Sequence, residues 1–110
     1  MISIEEFRKI KLEVGRVIEA QKVEGSEKLL QLKVNLGQDG ERTLVAGIVI
    51  HYAPESLLGK LVVVVSNLEP ATIRGIRSEG MLLAAEEDSP EHTISLLTLD
   101  RPVKEGSRIL

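Results

Sequence analysis

The sequence predicts an all-β domain, and three observations lead to this fold class. Valine and isoleucine are plentiful while aromatic residues make up only 2% of the chain, so the core must be aliphatic, which is typical of strands. Apolar and polar residues alternate over several short segments. Glycine, aspartate and proline separate those segments as turn residues do. At 110 residues and 43% hydrophobic, the chain has room for one domain, residues 1–110, with one core.

The chain opens with a Ser-x-x-Glu capping box at Ser3–Glu6, which predicts a short N-terminal helix over residues 4–8. Alternation then predicts a first strand over residues 11–21, which Gly15 would let bend. We expect its apolar face to carry Leu12, Val14, Ile18 and Ala20. We expect its polar face to carry Lys11, Glu13, Glu19 and Gln21.

The next segment alternates more cleanly and predicts a second strand whose inward residues are Leu30, Leu32, Val34 and Leu36. The pair Asp39-Gly40 suits a tight hairpin turn, so residues 42–50 are predicted to return as a third strand. Pro54 and Gly59 bracket a short helix, since proline is tolerated at the first helical position and glycine just after the end.

Residues 61–66 are apolar on both sides and predict a buried fourth strand. After this strand the sequence predicts a structured loop over 67–79, a fifth strand over 81–85, an acidic surface turn over 86–91 and a further strand over 94–99. A short helix between strands three and four is typical of the OB-fold, a five-stranded barrel. A sandwich of about seven strands is the alternative architecture.

Composition limits the setting in which the chain works. The absence of cysteine excludes disulfides and thiolate metal sites and favours a reducing compartment, so we expect a cytoplasmic location. The longest apolar run, residues 61–65, is far shorter than the roughly 18 residues that span a bilayer. Glu5 and Glu6 lie where the apolar part of a signal peptide would begin, so neither a membrane anchor nor a leader is expected.

No arrangement of residues predicts catalysis, a metal site or a cofactor. Gly75 and Gly80 have the glycine spacing of a phosphate-binding loop, but no lysine follows them. Of the two histidines, His51 and His92, only the second has carboxylates nearby in sequence, and a solvated acidic turn explains it. No serine lies in a nucleophile elbow. We therefore expect that the chain is not an enzyme.

The net charge of −3 means that any nucleic-acid site must be a local basic patch. On an OB-fold the oligonucleotide surface is the face of strands two and three with the loops after strands one and four. The cations that could converge there are Lys28, Lys33, Arg42, Arg74 and Arg77. A solvated strand face interspersed with Glu27 and Glu41 is the alternative. Because two aromatic residues cannot form a base-stacking platform, RNA binding would depend on shape and phosphate contacts.

Several motifs occur in a characteristic order along nearly the whole chain. They are KLEVG at 11–15, EGSEKL at 24–29, AGI at 46–48, YAPE at 52–55, LGK at 58–60, NLEP at 67–70 and GIRSEGM at 75–81. In these motifs the chain resembles the tRNA-binding domain found at the C-terminus of methionyl-tRNA synthetases, as a separate β subunit, and as a free-standing structure-specific tRNA-binding protein. Related domains occur in the endothelial monocyte-activating polypeptide.

The resemblance implies an OB-fold that grips the outside of tRNA without reading an anticodon. By motif, the RNA-contacting positions fall on Lys28, Ser78 and Met81, although a place in the core is an open alternative for Met81. The family usually has an Arg-Lys pair after Asn-Leu-x-Pro, whereas this chain has Ala71 and Thr72, so two phosphate contacts are absent and Arg74 and Arg77 would compensate in part.

The resemblance also implies dimerisation through the N-terminal helix and the C-terminal segment. The apolar residues at the two ends fit such an interface: Ile2, Ile4, Phe7, Ile109 and Leu110. Partners would be tRNA, a second copy of the chain and the catalytic part of methionyl-tRNA synthetase. Two alternatives stay open: a CsaA-type export chaperone of the same fold, and a module whose main role is to dimerise a larger enzyme.

Overall fold

The computed structural model describes residues 1–110 as strands, short helical turns and the loops that join them. The strands are β1 (Leu12–Lys22), β2 (Leu30–Asn35), β3 (Glu41–Ala46), β4 (Leu61–Val65), β5 (Ala71–Ile73), β6 (Ile76–Ser78), β7 (Met81–Leu82), β8 (Ala84–Glu87) and β9 (Thr93–Leu96). The helical elements are α1 (Ile4–Phe7) and two 3₁₀ turns, Gly37–Asp39 and Pro54–Leu57. The capping box is present: the Ser3 hydroxyl accepts from the Glu6 amide while the Glu6 carboxylate accepts from the Ser3 amide.

Five antiparallel strands form one sheet in the order β3-β2-β1-β4-β7. The sheet nearly closes on itself because the segment before β7 returns to β3, where the Glu79 amide donates to the Thr43 carbonyl over 2.8 Å. The Pro54–Leu57 turn lies between β3 and β4, as predicted. The all-β prediction and the OB-like five-stranded barrel are confirmed.

The barrel interior is filled by aliphatic side chains with almost no contact with solvent. The four inward residues predicted for strand two, Leu30, Leu32, Val34 and Leu36, are all 0% exposed. Leu44, Val62 and Val64 enter the same space from β3 and β4. Alternation along β2 therefore predicted this face correctly.

A second apolar cluster lies outside the barrel. β4 is apolar on both sides because Val63 and Val65 point away from the interior and pack with Leu12, while Phe7 and Ile109 cover them. We call Leu12, Val63 and Val65, with the covering Phe7 and Ile109, the terminal cluster. It explains why this strand lacks the alternation of a half-exposed one.

The predicted faces of β1 are only partly right. The pairing register with β2 shifts between Val17 and Glu19, so Val17 is buried and Ile18 is 37% exposed, contrary to the prediction for Ile18. Glu13, predicted on the polar face of the strand, is nevertheless only 2% exposed. The C-terminal segment causes this burial because it runs beside β1, and Arg108 forms an isolated bridge with Glu13.

Other boundaries also differ from the prediction. The third strand ends at Ala46 and a turn follows, in which the His51 and Tyr52 amides both donate to the Ile48 carbonyl. The region predicted as a loop, 67–79, contains the β5–β6 hairpin. The predicted fifth strand divides at Leu83 into β7, which belongs to the barrel, and β8, which pairs with β9. None of the helices is both long and apolar enough to cross a membrane.

The C-terminal segment crosses the β2–β3 turn at two glycines. A Cβ on Gly37 would come within 2.4 Å of the Glu105 carbonyl oxygen, and a Cβ on Gly106 would come equally close to the Leu36 carbonyl oxygen. Both glycines have positive φ angles, 69° and 85°. The two backbones can therefore touch only because neither position carries a side chain.

Candidate nucleic-acid interface

Two loops meet beside the outer face of β2 and β3. Arg74 (φ 52°) and Gly75 (φ 78°) form the two-residue turn of the β5–β6 hairpin, and two positive φ angles are the signature of a type I′ turn. From this turn the Arg74 Nη1 atom donates to the Gly25 carbonyl oxygen over 3.1 Å. The loop after β1 and the loop after β4 are thereby linked, as the OB-fold surface requires.

Lys28 is the most available cation of the predicted set. It is exposed and forms no ion pair. The Ser26 hydroxyl accepts from the amides of Lys28 and Leu29, both over 3.2 Å, and this fixes the backbone of the loop. A charged side chain on a fixed backbone can neutralise a phosphate at a lower entropic cost than one on a mobile loop.

Lys33, which is half-buried, and Arg77, which is exposed, are cations held in weak surface ion pairs. The Lys33 Nζ atom lies 3.4 Å from Glu19 Oε2, and the two residues are opposite each other on β2 and β1. The Arg77 Nε atom lies 3.7 Å from Glu79 Oε2. Exposed pairs of this kind are worth about 0–1 kcal/mol, so either cation can exchange its carboxylate for a phosphate at little cost.

Arg42 lies elsewhere than the sequence suggested. It is in register with the inward-pointing Val34, so its side chain is on the inner side of the sheet, while Lys33 and Thr43 point outwards. Its Nη1 atom donates to the carbonyl oxygens of Ser66 over 2.9 Å and of Glu79 over 3.4 Å. Arg42 therefore closes one end of the barrel. The cationic face, as we use the term below, consists of Lys28, Lys33, Arg74 and Arg77.

Ser78 is buried, which differs from the contact with RNA expected by motif. It is 4% exposed, and its hydroxyl accepts from the Val45 amide over 3.1 Å and donates to the Gly80 carbonyl over 3.3 Å. The hydroxyl thus takes the place of a backbone carbonyl where the chain before β7 meets β3. Ser78 holds the hairpin that carries Arg74 and Arg77 against the barrel.

Met81 is 37% exposed, so the alternative that it belongs to the core is wrong. Ala71 and Thr72, which stand where the family usually has basic residues, lie exposed on β5, and Thr72 is opposite Arg77.

The two aromatic residues are engaged elsewhere: Phe7 covers the terminal cluster and the Tyr52 hydroxyl accepts from the Leu96 amide over 2.9 Å. The cationic face therefore offers charge and hydrogen-bond donors without a stacking surface.

The shifted pKa values occur away from the cationic face, in a cluster of Lys11, Glu13 and Asp39. The Lys11 Nζ atom lies 2.8 Å from Asp39 Oδ2 and 3.8 Å from Glu13 Oε2. Burial raises the pKa of Glu13, with hydrogen bonding to Asp39 as the next cause. Hydrogen bonds from Glu13 and then from Lys11 lower the pKa of Asp39, whose carboxylate in turn raises the pKa of Lys11.

The residues proposed for a dimer interface lie together around the terminal cluster. Ile2, Ile4 and Leu110 are 65%, 54% and 100% exposed, whereas Phe7 and Ile109 are half-buried. A pocket of about 340 Å³ opens between them and is lined mainly by apolar side chains. Ile10, which the sequence interpretation did not single out, also lines this pocket.

Comparisons with known proteins agree with this geometry. The sequence profile described as "Putative tRNA binding domain" matches residues 12–108. The chain belongs to the tRNA-binding domain family. It is 48% identical to the methionine–tRNA ligase of Thermotoga maritima and 50% identical to that of Methanocaldococcus jannaschii, each over 108 residues. These matches cover 98% of this chain and 16% of each relative, so the chain spans about one sixth of their length.

Solved structures of this family's fold superpose closely on the chain. A methionyl-tRNA-synthetase-related protein from Pyrococcus horikoshii has a TM-score of 0.92 at 35% identity, covering 100% of this chain and 98% of that one. The chaperone CsaA from Bacillus anthracis has a TM-score of 0.88 at 26% identity, and CsaA from Picrophilus torridus 0.89 at 28%. These matches cover 100% of this chain and 99% and 100% of the CsaA chains. The resemblance drawn from the motifs is confirmed.

Proposed function

We propose that this domain binds tRNA by shape and phosphate contacts, largely independently of sequence, as the C-terminal or β-subunit domain of a methionyl-tRNA synthetase or as a free-standing homologue. The observation that carries the proposal is the link between Arg74 and Gly25, which brings cations from two loops beside the outer face of β2 and β3. The face bears no aromatic ring on which a base could stack. Phosphate contacts position an RNA without reading its bases.

The salt dependence of tRNA binding tests the mechanism. Five phosphate contacts would give a slope of log K against log salt of about −4.5, at roughly −0.9 per contact. Because Arg42 is engaged at the barrel end, four contacts remain, and we expect a slope no steeper than about −3.6 for one protomer. The measurement is a filter-binding titration with total tRNA at several salt concentrations.

Lys28→Ala and Arg77→Ala should each flatten this slope by about one and weaken all tRNAs alike. Arg101→Ala is the control, because Arg101 is an exposed cation that lies in the C-terminal segment. It should leave the slope unchanged. If the two charge variants bind tRNA like the parent, or distinguish strongly among tRNA sequences, the mechanism is wrong.

The domain is also proposed to dimerise through Ile2, Ile4, Phe7, Ile109 and Leu110. The apolar pocket between α1 and the C-terminus leaves surface uncovered that a symmetric partner would bury. Sedimentation at micromolar concentration should show a dimer, and Ile4→Asp combined with Leu110→Asp should give a folded monomer. A parent protein that sediments as a monomer would contradict the dimerisation proposal and leave the tRNA-binding proposal unaffected.

The chain matches only about one sixth of the length of its synthetase relatives, so we propose that catalysis is carried out by a separate catalytic unit. The matched family is a binding domain, so the isolated chain should neither aminoacylate tRNA nor hydrolyse ATP. We expect it to raise the tRNA affinity of a methionyl-tRNA synthetase catalytic unit when linked to it, because two linked binding surfaces raise the effective concentration. A gel shift of the linked and unlinked units measures the effect.

The CsaA structures support a second candidate, a chaperone that binds unfolded peptides. The observation that favours it is the close superposition on two CsaA chains. The relatives at 48% and 50% identity are synthetases, which places the tRNA-binding candidate first. An aggregation-protection assay with a denatured client separates the two candidates: protection that tRNA does not compete away would favour the chaperone.

A further inference from the structure

The two histidines of the chain meet in space although they are far apart in the sequence. His51 lies in the turn after β3, and His92 immediately precedes β9. Their ring centroids are 5.0 Å apart and the rings are nearly perpendicular, at 89°. The sequence alone connected only His92 with nearby carboxylates, so this approach of a second imidazole is a finding of the structure.

Two carboxylates of the β8–β9 hairpin complete the cluster. The His92 Nε2 atom lies 2.8 Å from Glu86 Oε2. One ligand atom from each of Glu86, Asp88 and His92 lies within 4.8 Å of the other two. In a tetrahedral zinc site with bonds of about 2.0–2.2 Å, neighbouring donors are about 3.4 Å apart. Exposed side chains such as these can rotate to make up that difference.

The local charge also favours a bound cation. No lysine or arginine occurs between Arg77 and Arg101, while the hairpin tip carries four carboxylates: Glu86, Glu87, Asp88 and Glu91. The contact between His92 and Glu86 is the only ion pair formed by this tip. A divalent cation would relieve the mutual repulsion of these carboxylates more fully than one imidazole does.

We propose that Glu86, Asp88 and His92 bind a divalent transition-metal ion such as Zn²⁺, with His51 packed against His92 to orient it. A neutral imidazole nitrogen together with carboxylate oxygens suits zinc and its neighbours in the first transition row, whereas Mg²⁺ and Ca²⁺ take oxygen ligands. The metal would take the place that the Glu86 carboxylate now occupies beside the His92 Nε2 atom, and it binds the imidazole only where that nitrogen carries no proton. The site would anchor the hairpin tip and is separate from the cationic face.

Isothermal titration of the whole chain with ZnCl₂ at neutral pH, in a non-chelating buffer, tests the site. One equivalent should bind, and His92→Ala should weaken binding by more than about tenfold, since even the loss of an outer partner costs 10–100-fold in metal affinity. His51→Ala should weaken it less. Glu91→Gln is the matched control because it removes a carboxylate of the same turn that is not among the three ligands, and it should bind like the parent.

Proton NMR gives a second measurement that does not depend on a variant folding. The chain has two histidines, so their imidazole signals are few. Zn²⁺ should shift the His92 signals at one equivalent. Unshifted His92 signals, or equal zinc affinities of the parent and His92→Ala, would overturn the proposal without affecting the tRNA-binding one.

Discussion

The barrel interior and the terminal cluster are both built from leucine and valine, yet they are enclosed to different degrees. Leu30, Leu32 and Leu44 in the interior are 0% exposed, whereas Leu12 and Val65 in the terminal cluster are each 8% exposed. The interior is closed by strands on every side. The terminal cluster is covered only by one helical turn and the last residues of the chain, so it ends in exposed apolar side chains. The interior is enclosed by its own strands, whereas the terminal cluster leaves apolar side chains exposed to solvent.

The largest effect is expected when one leucine in each region is replaced by alanine, which tests the difference in enclosure. Leu44→Ala should lower the free energy of unfolding by about 2–5 kcal/mol, because the closed barrel cannot collapse around the cavity. Leu12→Ala should cost less, since the loosely held cover can move inwards. Urea denaturation at a concentration where the protein is monomeric measures both. Equal losses would show that the terminal cluster is as rigid as the interior.

A second prediction concerns the closure between β3 and β7 that seals the interior. Ser78→Ala leaves the buried Val45 amide without an acceptor, which should cost about 1–3 kcal/mol of unfolding free energy. Ser56→Ala is the matched control, because that exposed hydroxyl donates to the Ala53 carbonyl at the surface. It should change stability by about 0.5 kcal/mol or less. If Ser78→Ala lowered tRNA affinity while stability stayed unchanged, the result would support the direct contact between Ser78 and RNA that the family motif implies.

The third prediction concerns Glu13, which lies beneath the C-terminal segment with its Oε2 atom unpaired by any hydrogen bond. Because its pKa is raised above 4.5 in the folded protein, the protonated folded form is favoured. Its contribution to stability is full below pH 4.5 and is lost as pH rises through the raised value. The stabilisation that goes with the lowered pKa of Asp39 is lost only as the pH falls below 3.8, and that of the raised pKa of Lys11 is lost only as the pH rises above 10.5.

The melting temperature of the parent should therefore decline as the pH rises above 4.5, relative to that of Glu13→Gln, which cannot ionise at this position. Thermal melts of both proteins across that range check the sign. Parallel curves would mean that water reaches Glu13 freely and that the C-terminal segment does not seal it.

The smallest effect is expected at the helix that covers the terminal cluster. Ser3→Ala removes the cap of α1 and should cost about 0.5–1 kcal/mol, at the low end for such caps, because the helix is one turn long and exposed. Hydrogen exchange of the α1 amides should accelerate while that of β2 stays unchanged. Accelerated exchange in β2 would show that the two regions unfold together.

The sequence predicted best where local pattern alone decides the structure. The alternation of β2 and the capping box at Ser3 depend on residues a few positions apart, and both are confirmed. Glu13 and Arg42 were misplaced because their surroundings come from distant segments, the C-terminal residues and the chain before β7. The β5–β6 hairpin was missed because its turn has arginine at a positive φ, where asparagine or glycine is the usual signal.

For the candidate site, the sequence indicated which loops and strands carry cations but not how exposed or engaged each cation is. Lys28, Lys33 and Arg77 follow from the order of strands and loops in a barrel of this type. The burial of Ser78 depends on which backbone amide it meets across the barrel, and no local pattern encodes that partner. The approach of His51 to His92 likewise depends on how the β8–β9 hairpin folds back.

The crossing of Gly37 and Gly106 limits how the sequence can vary. Both positions are only half-buried and lie near the surface, where replacement is ordinarily tolerated. Here even alanine would force two backbone segments apart and would also require a positive φ, which disfavours any side chain. A change at one glycine cannot be offset by the other, because neither has a side chain left to shorten. In a library of all single substitutions, these two positions should be as intolerant as the leucines of the barrel.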